Sequence, residues 1–135
     1  VYCTNPPEFR NHEYRNNIFY VGGIPILHGA CVTAKTVSYD YDLLYIFDTS
    51  PGTRISQWDK KVNYYTFDKF KKGTKQELHG INADPLFVDV NAGNLRLQAS
   101  SPAINKGVLL YGFNDANSAF PYSGNAPDIG AEETV

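Results

Sequence analysis

The residues best placed to do chemistry are Asp40 and Asp42, in the segment Tyr39-Asp40-Tyr41-Asp42-Leu43. On an extended backbone, residues two apart project to the same side with Cα atoms about 6.6 Å apart. That separation is near the one used by inverting glycoside hydrolases, where one carboxyl protonates the leaving oxygen and the other activates water. A turn or capping role for an Asp beside a Tyr competes with this reading. A polysaccharide lyase would instead need a base and a positive group to hold a developing enolate. His12, Arg15, His28, Lys35 and His79 are of suitable type, and nothing in their spacing brings any two together.

Three aromatic residues, Trp58, Tyr64 and Tyr65, are candidates for stacking on a sugar, because an aromatic face complements the apolar face of a pyranose. Packing against a neighbouring helix is the competing role. Asp84, Asp89, Asn91 and Asn94 could offer oxygen ligands to calcium, but they lack the dense carboxylate pattern that a hard cation usually finds. No other cofactor or metal is expected. Asn17 reads as a structural residue, facing inward and passing side-chain hydrogen bonds up a stack of strands, with an exposed turn Asn as the competing role. Cys3 and Cys31 are too far apart for a CxxC site and too few for zinc. A disulfide and two buried thiols both remain open, since spacing alone cannot set the Cα distance.

Short β-strands must position these groups. Residues 1–13, with Asn5-Pro6-Pro7, read as a loop or strap. Strand-like runs follow at 15–21, 24–28 and 31–39, the last bent near Lys35 and Thr36. The run at 39–47 ends in five successive apolar residues, which predicts a strand covered on both faces. Residues 48–57 read as a loop. One helix is expected from Phe67 to Lys72, with Thr66 as N-cap, Gly73 as stop and Phe67 and Phe70 as its apolar face. Two apolar runs flank the corner Asn91-Ala92-Gly93-Asn94, and Val108 to Tyr111 reads as a last strand. The absence of an Asn-Gly or Asp-Gly pair between alternating runs argues against antiparallel hairpins. Residues 112–127 form an irregular strap, after which 128–131 tucks back onto the body.

The strings DPLFVD (84–89), LRLQASSPAINKG (95–107) and DIGAEE (128–133) together resemble the C-terminal end of secreted right-handed parallel β-helix proteins of the pectate-lyase-like superfamily. YRNNIFY (14–20) resembles a coil with a stacked Asn, and VSYDYDLLY (37–45) resembles a segment often found upstream. Asp42 stands where Asn is the more usual family residue, and Ala131-Glu132-Glu133 replaces a common aromatic before the final Glu. The resemblance implies an all-β solenoid, with coils over 14–111, one short flanking helix and a closing strap over 112–135. It also implies polysaccharide as partner, and a lyase or glycoside hydrolase activity in the full-length protein. The separation of 28 positions from Cys3 to Cys31 approximates one coil, so a bridge between neighbouring coils would fit an oxidising compartment.

Composition narrows the alternatives. The 135 residues fit a single domain, 14% aromatic with ten tyrosines and only 19% charged, a mixture that suits an extracellular β protein. A net charge of −2 leaves no footprint for nucleic acid or an anionic membrane. No apolar stretch reaches the ~20 residues that span a bilayer. So few coils would leave an upstream end open, because each coil buries its apolar face only against its neighbours. The chain is therefore expected to be the C-terminal part of a longer β-helix, secreted, periplasmic or at a cell surface, with upstream coils as partners and little activity alone. Two other functions compete: a non-catalytic carbohydrate-binding or adhesion module, and a purely structural cap that buries Trp58 and shows no cleft beside it.

Overall fold

A computed structural model describes residues 11–27 and 37–134. The chain is mostly β with one short helix. Its elements are β1 (His12–Tyr14), β2 (Ile18–Val21), β3 (Ile26–Leu27), β4 (Val37–Tyr39), β5 (Leu43–Ile46), β6 (Ser56–Trp58), β7 (Val62–Tyr64), α1 (Phe67–Thr74), β8 (Ile81–Asn82), β9 (Phe87–Asp89) and β10 (Asn94–Leu97). They form four small sheets: β1-β4 and β2-β5-β8 are parallel, β3-β6-β7 is mixed, and β9-β10 is antiparallel.

The parallel ladders are met twice in the same order. His12 pairs with Val37 in the first, Ile18 with Leu43 in the second, and Ile26 with Ser56 in the third. Each strand is short because a corner follows it. Between β1 and β2 the corner is Asn16 (φ 59), and between β4 and β5 it is Tyr41 (φ 60). These left-handed residues lie one above the other, with Asn16 N–H donating to Tyr41 O at 3.1 Å. Asn tolerates this backbone; Tyr does so less readily.

The third pass is incomplete, and each ladder ends differently. Among the described residues no third strand continues β4: Tyr39 N–H donates to the Gln76 side chain at 2.6 Å, and Tyr39 O accepts from Glu77 N–H at 2.8 Å. β8 adds only two residues to β5, while β7 folds back antiparallel on β6.

The middle sheet is covered on both faces, as the apolar run at 39–47 predicts, and Leu43 and Leu44 are both fully buried. On one side Leu44, Phe19 and Ile46 meet Ile26, Val37, Tyr39, Ile55 and Phe70. On the other, Leu43, Ile18 and Ile81 meet Ala103, Ile129 and Leu97 from the C-terminal third. The tuck at 128–131 therefore does what its sequence suggests, with Ile129 N–H bonded to Ala103 O at 2.9 Å and Gly130 N–H to Asn16 O at 2.9 Å.

Helix α1 begins where expected: Thr66 accepts Lys69 N–H, and Lys71 and Lys72 lie in the last turn near its negative end. It does not stop at Gly73. Lys75, in the left-handed conformation, closes it through a bond to Lys71 O. Gly73 serves packing instead, since a Cβ there would lie 2.6 Å from Tyr64 Cε1. Gly73→Ala is expected to destabilise the chain by about 1–3 kcal/mol despite alanine's higher helix propensity, measured as a lower urea midpoint.

Several other expectations need correction. Two antiparallel hairpins exist without the expected Asn-Gly or Asp-Gly signal. In β6-β7 the turn residues Asp59 (φ 53) and Lys60 (φ 55) adopt the positive φ of a primed turn, closed by Lys61 N–H to Trp58 O at 3.0 Å. The corner at 91–94 joins β9 to β10, with Gly93 at φ 74 and Asp89 Oδ1 capping Ala92 N–H. Residues 12–13 and 56–57 are strand rather than loop. Residues 108–111 form no strand, because side chains take their amides: Asn16 Oδ1 accepts Val108 N–H and Asn114 Oδ1 accepts Leu110 N–H, each at 2.7 Å. Cys3, Cys31, His28 and Lys35 lie outside the described residues.

Candidate functional site

Five residues singled out in the sequence, Arg15, Asn17, Asp40, Asp42 and His79, gather around the corners that join the first two ladders. The ladder register stacks one pass on the next and brings together groups far apart in sequence. Asn17 bonds to the next pass as its inward reading implies: its N–H and Nδ2 donate to Asp42 Oδ1 at 2.7 and 2.9 Å. Asp42 N–H in turn donates to Glu77 Oε2 at 3.3 Å. Glu77 is also left-handed, at φ 52, and its side chain folds over Gly80, where a Cβ would meet Glu77 Cβ at 2.9 Å.

Asp42 and Glu77 are both 0% exposed. Burial, then the Asp42 charge, pushes the Glu77 carboxyl up to about 9; burial also raises Asp42, against its bonds from Asn17. Asp42 Oδ2 and Glu77 Oε1 are buried without a hydrogen-bond partner. The proton that burial keeps on Glu77 spares the site a second negative charge beside Asp42. Sealed from solvent, this pair is an internal tie between passes.

Asp40 and Asp42 do not project together. The left-handed Tyr41 breaks the extended alternation on which that expectation rests and sends the two carboxylates to different partners. Asp40 accepts His79 N–H at 2.7 Å and meets His79 Nδ1 at 2.8 Å. Burial pushes Asp40 up, but the bonds from His79 and from Tyr41 N–H outweigh it and hold the carboxyl below its usual range. The His79 ring lies flat on Tyr41, 4.5 Å between centroids and 11° apart, which steadies the strained corner. Neither Asp40 nor His79 lines the cleft described below. Arg15 is committed as well, donating to Tyr14 O, Ser38 O and Ser38 Oγ at 2.7–2.9 Å. His12 lies on β1, in register with Val37.

The proposed sugar-stacking residues fall elsewhere. Trp58 and Tyr64 pack edge-on against Phe70 at 5.8 and 5.7 Å; Tyr65 is exposed. The calcium candidates serve as local caps, with Asp84 Oδ1 accepting Leu86 N–H and Asn94 Oδ1 accepting Arg96 N–H.

An open cleft of about 630 Å³ lies between the first corner and the C-terminal third, lined by Arg15, Leu95, Phe113, Phe120, Glu132 and Glu133 among others. Phe113 and Phe120 are 59% and 66% exposed, their rings 5.8 Å apart and inclined at 38°. Glu133 is anchored by Asp128 N–H at 3.2 Å, and its carboxyl lies above its usual range because of burial and the nearby Asp128 charge. Sequence reading named none of Glu77, Phe113, Phe120, Glu132 or Glu133 as site residues. The available signal was an aromatic pair in a segment otherwise rich in Asn, Ser, Pro and Gly.

No family model, curated protein or solved structure matches the chain.

Proposed function

We propose that this chain is the closing end of a right-handed parallel β-helix of the pectate-lyase-like kind, and that its role is to bind polysaccharide rather than to cleave it. The observation that carries the reading is the repeated order of the parallel ladders, with Tyr14 stacked on Tyr39 at 4.4 Å and 6° and Asn17 bonded to Asp42 in register. Like side chains stacked on successive passes are what a coiled β solenoid requires of a core that must be satisfied from one pass to the next. The carbohydrate link comes from the resemblance of DPLFVD, LRLQASSPAINKG and DIGAEE. A secreted or cell-surface setting follows from the same resemblance, and no described helix is long and apolar enough to cross a membrane.

Binding is favoured over turnover because the acids and bases of the corner are sealed or already paired, whereas the open cleft carries exposed aromatic rings. Incubation with pectate, alginate, xylan and glucomannan is expected to release no unsaturated product and no reducing ends, while affinity electrophoresis shows retardation by at least one polymer. Release of product by this chain would contradict the reading. A second reading, a structural cap without ligand, is supported by the packing of Trp58 and Tyr64 on Phe70; retardation by no polymer would favour it.

A further inference from the structure

We propose that the cleft between the first corner and the C-terminal third holds an uncharged sugar ring and rejects uronates. This deepens the polysaccharide reading and rests on it. The cleft has two kinds of wall. One is apolar and open, formed by Phe113, Phe120 and Leu95, all more than half exposed. Such rings offer a flat face to the C–H side of a pyranose, and the two pack against each other, 5.8 Å between centroids and inclined at 38°, as one apolar patch. The other wall is polar and acidic. Glu132 is exposed, Glu133 is held at its edge, and Asp128 lies beneath them.

Charge decides among sugars. Arg15 is the one basic residue among the described lining, and three of its five donors are taken by Tyr14 and Ser38. Asp128, Glu132 and Glu133 line the same cleft, so the described lining is net negative. Ligand hydroxyls can donate to Glu132 and Glu133, whereas a ligand carboxylate would meet a net like charge, with the one lining cation already bonded to Tyr14 and Ser38. A lipid chain would leave these carboxylates facing apolar matter without donors. The volume, about 630 Å³, lies within the range of small-molecule sites and suits one or two rings rather than a long segment.

The test is an NMR titration of the full chain with cellohexaose, mannohexaose, xylohexaose and hexagalacturonate. At least one neutral hexamer is expected to shift the amides of Phe113, Phe120 and Glu132 saturably, and hexagalacturonate to shift none of them. Replacing both rings, Phe113→Ala with Phe120→Ala, is expected to weaken that binding about ten-fold or more. Both side chains are exposed, so the fold should survive, which is checked by an unchanged urea midpoint. Binding of a neutral hexamer that ignores the double variant overturns the cleft assignment and leaves the polysaccharide reading standing. Uronate binding at these amides overturns the charge argument alone. If none of the four hexamers and none of the polymers binds, both inferences fail.

Discussion

Asp42→Ala is expected to destabilise the chain by roughly 2–5 kcal/mol, because it leaves the Asn17 N–H without its acceptor, takes from Asn17 Nδ2 one of its two, and opens a cavity beside the buried Glu77 side chain. Asp42→Asn keeps the Oδ1 acceptor and places an amide beside Glu77, so it is expected to stay within about 1 kcal/mol of the native chain at neutral pH. Equilibrium urea unfolding followed by tyrosine and tryptophan fluorescence separates the two. An alanine variant as stable as the asparagine one would remove the tie from the fold's energetics.

The same pair sets a pH dependence of definite sign. Glu77 is raised from 4.5 to about 9 by burial and by Asp42, so the folded chain holds a proton that the unfolded chain releases above about pH 4.5. Stability contributed by that proton is complete below pH 4.5 and is lost as pH rises through about 9. The slope contributed by this one site is at most about 1.4 kcal/mol per pH unit. Asp40, whose carboxyl is lowered, acts in the opposite sense, losing its contribution as pH falls below the usual aspartate range. Glu77→Gln mimics the protonated acid, with its amide donating toward Asp42 and its carbonyl facing Asp42 N–H. It is expected to flatten the decline in urea midpoint between pH 5.5 and 8.5. A native chain with no such decline would show that the proton is not retained.

Phe70→Ala is expected to cost about 3–5 kcal/mol, the usual range for a buried phenylalanine. Phe70 is the fully buried aromatic of α1, edge-on to both Trp58 and Tyr64, with Phe67 packed against the same core. Its loss opens a cavity and frees the sole tryptophan, so a red-shifted emission should accompany the lower midpoint. A shift in stability below about 1 kcal/mol would mean that α1 contributes little to the fold.

What could be read from sequence was local. Thr66 declared itself as a cap because a hydroxyl before an apolar, lysine-rich turn has one obvious use, and Leu43 and Leu44 declared a doubly covered strand by adjacency. Asn17 could be assigned an inward bond, since an Asn amid apolar strand residues needs a partner. Its chain of partners could not be followed further. Glu77 lies 35 residues beyond Asp42, and its placement depends on a left-handed backbone that no neighbouring Gly or Asn at 77 announces. The β6-β7 hairpin escaped for the same reason, with Asp59-Lys60 adopting a geometry usually reserved for glycine and asparagine. The cleft was beyond reach, because segments near 15, 95, 113 and 132 meet only after the C-terminal third has crossed the middle sheet.

The three unlike endings of the ladders bear on how copies of this molecule can meet. An exposed strand edge is a template for another chain, and head-to-tail docking that never closes on itself builds a fibre. An incoming copy would find a glutamine amide where β4 should continue, a two-residue stub beside β5, and a reversed strand beside β6. No repeating rung can satisfy all three at once. Residues 62–82 thus leave this end a poor template for head-to-tail growth.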